Sequence, residues 1–255
     1  MKKLIIKGWR PIAVLLLLFV IWEIVVRLGH IEEWLLPAPT KIFREAFSDW
    51  PNFYPNLISS INISLLGFVI GAVIGLLAAV LLYLIPFLRD SFYPLLILSQ
   101  NIPIIVLAPL LVIWFGFGLL PKMIVITLVC FFPITVAALD GFKQTPAELT
   151  HYMKMAGASK QQLFWKLEFP FALPSIFSGL KISATYSIMG AVISEWLGAK
   201  QGIGVYITLA SSSFRTDRVF VAIFAIMLLS LLFFLVIVLI ERRVVRWHVK
   251  ENEGK

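Results

Sequence analysis

One cysteine, three histidines and few charges set the first limits on this 255-residue chain. The lone Cys130 lies in an apolar run, which excludes an internal disulfide and leaves the redox context open. His30, His151 and His248 are scattered, and with one cysteine they make no metal-site spacing. No GxxxxGK(S/T) phosphate loop occurs, so a nucleotide site of that kind would have to lie on another chain. The long apolar stretches hold no clustered acids, histidines or nucleophile–base pairs, which argues against an intramembrane enzyme. Nor do they show the paired mid-membrane carboxylates and related halves of an ion-driven secondary transporter.

What is present is apolar surface. Hydrophobic residues make up 60% of the chain and the mean hydropathy is +0.94, whereas a soluble domain is about 45–50% apolar. No charge appears from Trp50 to Leu88, Ser91 to Pro121, Met123 to Leu139 or Val219 to Ile240. A spanning helix needs about 20 apolar residues, so each gap holds one. The pattern predicts an all-α membrane protein with about six spans, near 11–29, 60–85, 92–113, 121–139, 176–197 and 219–241. The N-terminal stretch reads as a retained first span, because no small-x-small cleavage site follows it.

Charge sets the expected orientation. With both termini in the cytoplasm, fourteen of the 22 Lys and Arg fall inside, seven outside, and Lys181 near the inner boundary. That asymmetry obeys the positive-inside rule. The net charge of +8 therefore marks membrane topology and not nucleic-acid binding. Trp9, Trp22, Trp34, Trp50 and Trp247 are placed near the membrane interfaces. In span two, Gly67, Gly71 and Gly75 form a small-xxx-small ridge for close helix approach. Span three is interrupted by Pro94, Pro103 and Pro109 and carries Gln100 and Asn101, so it should face a pathway or a partner.

The segment 141–175 is the polar exception. Thr145, Pro146 and Glu148 spell a capping box that opens a helix, with Leu149, Tyr152, Met153 and Ala156 on one face. Gly157 should end it in the left-handed conformation. Ser159 and Gln162 cap a second helix bearing Leu163, Phe164 and Leu167, which Pro170 and Pro174 are expected to end. A corner of small residues, Ala156-Gly157-Ala158, results. Such a hairpin fits a lipid surface, a cap over its own bundle, or a docked protein partner.

Gly157 followed by "FPFALP" resembles the cytoplasmic EAA loop of binding-protein-dependent ABC importer permeases. "LLPAPTKI", "APLLVIWFGFGLLPK", "FFPITVAALDG" and "EWLGAKQGIGVYI" resemble the nitrate/sulfonate/taurine branch, together covering residues 34–210 in order. The resemblance implies a single permease domain over 1–255, a core at 60–241 and a cytoplasmic coupling loop at 141–175. It implies a type I importer fold, a permease homodimer in the cell membrane, a solute-binding protein outside and a partner ATPase. That ATPase would hold ATP and Mg, with no cofactor on this chain. The loop residues carried over to the ATPase contact are Glu148, His151, Lys154, Ala156, Gly157, Ala158, Leu163 and Pro174. The family's Glu-Ala-Ala triplet is replaced here by His151-Tyr152-Met153, which puts an acidic contact at those positions in doubt.

Candidate pathway residues are Gln100, Asn101, Tyr186 and Glu195. For Glu195 a boundary residue is the other reading, and for Gln100 and Asn101 satisfaction of carbonyls freed by proline. Glu23 is expected to pair with Arg27, and Arg215, Asp217 and Arg218 to occupy a solvated outer loop or meet the binding protein. "ATYSIMGAVISEWLGAKQGIGVYI" with "SSSFRTDRVF" looks similar to permeases for thiamine-precursor pyrimidines, such as formylaminopyrimidine or hydroxymethylpyrimidine. Aliphatic sulfonate, taurine or nitrate is the alternative solute, and an ion-gradient transporter the alternative class.

Overall fold

The computed structural model describes residues 2–245, with side chains from Trp9 onward. Arg246, Trp247, His248, Lys250 and Lys255 lie outside the described residues. All regular structure among the described residues is helical. Helix α1 (Lys2–Leu28) leads to a short amphipathic α2 (Pro39–Ser48) and the long α3 (Trp50–Leu84). Next come α4 (Pro86–Ser99), α5 (Ile104–Phe115) and α6 (Leu119–Lys143). The hairpin pair α7 (Ala147–Met155) and α8 (Lys160–Leu163) precedes α9 (Phe169–Glu195), α10 (Ile203–Ser212) and α11 (Thr216–Val244). Among the described residues, five helical stretches are long and apolar enough to cross a membrane, and six if the bent pair α4–α5 is one span.

Span edges differ from expectation at two places. Helix α3 begins at Trp50, ten residues before the predicted edge, because Pro51 sits in its first turn, where a missing donor is harmless. Span three is broken at a 101° elbow between Ser99 and Ile104. Of its three prolines only Pro103 forms the break; Pro94 and Pro109 lie inside helices.

The core is α6, gripped by α3 on one side and α9 on the other. Gly67, Gly71 and Gly75 face Ile126, Cys130 and Ile134, so both helices present ridges of four-residue spacing. A Cβ at Gly71 would lie 2.7 Å from the Cys130 Cβ, which explains why no larger residue fits. The close approach permits a hydrogen bond from Thr135 Oγ1 to Gly75 O at 3.0 Å. On the other side, Ser183 Oγ donates to Cys130 O at 2.8 Å, and Gly179 meets the Pro133 carbonyl and Ala137. Such polar contacts between spans add to packing where no hydrophobic force operates between helices.

Helices α1 and α11 pack outside this trio and bury little of themselves. Trp22 joins Phe19, Phe220 and Phe224 in an aromatic cluster between α1 and α11. Glu23 pairs with Arg27 at 2.6 Å as expected, and also accepts from Thr40 N and Oγ1 at the start of α2.

Candidate functional site

Two regions at opposite ends of the bundle concentrate polar geometry. The first is the α7–α8 corner. The predicted Thr145 cap does not form: Pro146 is the N-cap, and the Thr145 hydroxyl is buried without a partner. The helix starts at Ala147, so Glu148 falls one position too early to close a capping box. The other end matches expectation. Gly157 has φ +81°, Ala158 N donates to Met153 O and Gly157 N to Lys154 O, both at 3.0 Å. This pair of bonds is a Schellman motif, which requires a left-handed residue where glycine stands. Ser159 and Gln162 then form a full capping box, at 2.8 and 3.2 Å.

The second helix does not end at Pro170 or Pro174. A π-helical turn, Phe164–Glu168, joins α8 directly to α9, and one helical rod runs from Lys160 to Glu195. Phe169 N donates to Phe164 O, five residues back. Widening the turn just before Pro170 accommodates a residue that has no N–H and would otherwise crowd the preceding carbonyl. The rod is bolted to the bundle by aromatic rings: Phe164 packs 5.8 Å from Tyr83 and 5.3 Å from Phe142. Phe164 was expected on the apolar face of the second helix; its partners Tyr83 and Phe142 were not singled out from sequence.

Glu148, His151, Lys154, Ala156 and Gly157 come together on the exposed side of the hairpin. Ala158 is half-buried, Leu163 is buried beneath the corner, and Pro174 lies within α9. Helix α7 buries none of its residues, and Leu149, Tyr152 and Met155 stand 40%, 67% and 81% exposed. A Cβ on Gly157 would meet nothing within 4 Å. The hairpin thus turns an apolar stripe and a bare backbone corner away from its own chain.

The second region is a hydrogen-bond node at the far end of the same rod. Glu195 is 1% exposed and accepts from Ser60 Oγ at 2.6 Å and Gly204 N at 2.8 Å. Ser60 Oγ in turn accepts from Ile203 N at 2.8 Å, and Asn56 Oδ1 from Gly202 N at 2.9 Å. Three backbone donors at the start of α10, orphans of any helix N-terminus, are held by side chains of α3 and α9. Beside it, Arg215 and Arg218 share Glu45 at 2.6 and 2.9 Å, and Arg218 reaches Asp49 at 3.1 Å. Tyr206 donates to Asp49 at 2.7 Å; burial and that carboxylate push the phenol above its usual range. The expected solvated loop at Arg215, Asp217 and Arg218 is therefore an ion-pair network pinning α2 to α10 and α11.

The four pathway candidates occupy three settings. Gln100 and Asn101 lie exposed at the α4–α5 elbow, where Asn101 Nδ2 donates to Ile97 O at 2.8 Å. Tyr186 lies on an exposed stripe of α9 with Ile182 and Met189. Glu195 is inside the node just described.

Comparison with known proteins decides the family. A model described as "Binding-protein-dependent transport system inner membrane component" matches residues 71–246. The chain belongs to this family. The permease is similar to the formylaminopyrimidine transport permease protein of Halalkalibacterium halodurans, at 36% identity over 94% of this chain and 96% of the relative. It is similar to the riboflavin transport system permease protein of Chloroflexus aurantiacus, at 32% over 91% and 88%. The taurine transport system permease protein of Escherichia coli is 28% identical over 93% and 89%. The protein is thus a multi-pass membrane permease subunit of an ABC importer, with the type I permease fold. Membership implies an ATPase and a solute-binding protein as partners.

Proposed function

We propose that this permease carries a small polar solute inward, energised by an ATPase subunit that docks on the α7–α8 corner. The observation that carries the reading is the hairpin itself. It is a helix with no buried residue, an exposed apolar stripe and a glycine corner with open space around it. Apolar surface presented this way calls for a partner. The Lys160–Glu195 rod gives that partner a lever, because helical structure runs continuously from the corner to the far end of the bundle. Glu148, His151 and Lys154 supply polar contacts around the apolar stripe. ATP and Mg bind on the partner, and this chain performs no covalent chemistry.

In this reading the corner and both termini are cytoplasmic, which agrees with the basic-residue count. The functional unit is a permease homodimer within one transmembrane domain over 1–255. Its core is 60–241, its coupling loop 141–175, and an external binding protein delivers the solute. The solute is a thiamine-precursor pyrimidine, formylaminopyrimidine or hydroxymethylpyrimidine; the first is supported by the 36% identical formylaminopyrimidine transport permease. A second reading, taurine or another sulfonate, is favoured by the 28% identical permease.

The two are separated by the ATPase activity of the reconstituted complex with its binding protein. The expected result is stimulation by formylaminopyrimidine and none by taurine. The reverse result assigns the protein to sulfonates.

A further inference from the structure

Among the described residues, a cleft of about 440 Å³ opens between α3 and α6 at the end away from the hairpin. Its polar lining is Ser59 and Asn62 from α3, Lys122 from α6, and Gln201 just ahead of α10; Ile58 and Leu66 supply apolar wall. We propose that this cleft is a solute-binding site of the permease itself, for a compact solute that offers an oxyanion or carbonyl oxygen to Lys122. The proposal rests on the importer reading and names the substrate class for it.

Three observations support the assignment. The first is unspent bonding capacity. Asn62, Lys122 and Gln201 have no hydrogen-bond or ion-pair partner among the described residues. Asn56 and Ser60, on the neighbouring face of the same helix, are fully engaged in holding α10. The lining residues of α3 follow the spacing Pro55, Ser59, Asn62, Leu66, one continuous stripe that faces the cleft. An exposed amide and a half-buried lysine on spanning helices face a water-filled cavity or a ligand more readily than lipid tails.

The second is charge. Lys122 is the cleft's cation, and no carboxyl group lines the cleft. Glu195 is the carboxyl close enough to feel Lys122, yet it makes no ion pair with it and is occupied by Ser60 and Gly204. An ammonium with three donors, flanked by two amides able to donate or accept, selects an oxygen acceptor and rejects a cation. The mix of a few polar groups with apolar wall is that of small-molecule pockets.

The third is position. Gln201 immediately precedes Gly202, whose N–H is held by Asn56, so an occupant in contact with Gln201 lies one residue from the node that holds the start of α10. Solute binding at one end of the rod and ATPase movement at the other would bias the same element, as coupling requires.

The test uses the purified permease–ATPase complex in phosphatidylcholine nanodiscs, without binding protein. Radiolabelled formylaminopyrimidine and taurine serve as probes, with an organic ammonium as control. One of the two probes is expected to bind and the ammonium not. Lys122→Gln and Asn62→Leu should each weaken that binding by roughly tenfold, while the ATPase stays bound to the permease. Unaltered probe binding in both variants would overturn the site, as would binding of neither probe. A lipid phosphate shares the ligand chemistry. If Lys122→Gln instead releases only bound phosphatidylglycerol, from discs containing that lipid, the site belongs to lipid and the proposal fails. Loss of the ATPase from the unmodified complex would refute the importer reading instead, so the two failures are distinguishable.

Discussion

Replacing Gly157 with arginine is expected to strip the ATPase subunit from an affinity-tagged permease, while Gly157→Asn retains it. The contrast isolates the surface from the backbone. Gly157 sits at φ +81°, a conformation that a side chain makes about 1–2 kcal/mol less favourable, with asparagine the best tolerated after glycine. A Cβ there meets nothing of its own chain within 4 Å, so neither variant clashes with the permease. Arginine, however, projects a long charged side chain from the corner between Ala156 and Ala158, where a partner's surface would have to lie against the backbone. A steric and charge block of about 3 kcal/mol lowers affinity by roughly a hundredfold. The checking measurement is ATPase-to-permease stoichiometry after purification, with thermal unfolding to show that both variants are folded. Equal retention by both variants would move the docking site elsewhere.

Glu195→Ala is expected to be the most damaging single substitution at the opposite end. It removes the acceptor for Ser60 Oγ and Gly204 N, both buried with it. Each orphaned group costs about 1–3 kcal/mol, so a loss of about 3 kcal/mol is expected even after the remaining groups adjust. The start of α10 then loses one of the side chains that hold it to the rod. Glu195→Gln should recover most of the loss. Its amide oxygen can accept from Gly204, and its NH₂ can donate to Ser60 once that hydroxyl turns. Thermal unfolding in detergent reads the difference. If Gln is as damaging as Ala, the carboxyl acts through its charge and the hydrogen-bond account of the node is wrong.

Much of the architecture was legible because lipid imposes simple constraints. Gaps between charges located the spans, and glycines at four-residue spacing identified the face of α3 that meets α6. Local hydrogen-bond signatures were readable where spacing alone decides them, as at Ser159–Gln162 and Gly157. They failed at Thr145, because helix α7 starts one residue later than the pattern implied and Glu148 misses the closing position. Pro170 misled for a different reason. A proline ends a helix only if the turn before it cannot relax, and here a π-helical turn lets the rod continue. The node at Glu195 was invisible as a unit. Ser60 and Glu195 are 135 residues apart, and Arg215 and Glu45 170 apart, so no local spacing links them. Glu195 was noticed as a costly acid near a membrane boundary; only packing revealed what it holds.

The central claim is that solute movement through this permease is driven by ATP hydrolysis on a partner docked at the hairpin corner. Solute uptake into proteoliposomes holding the permease, its ATPase and its binding protein tests it most directly. Uptake should require ATP on the ATPase side, persist when ion gradients are collapsed, and disappear with Gly157→Arg. Uptake that proceeds normally with no ATPase present, or that follows an imposed ion gradient, would contradict the account.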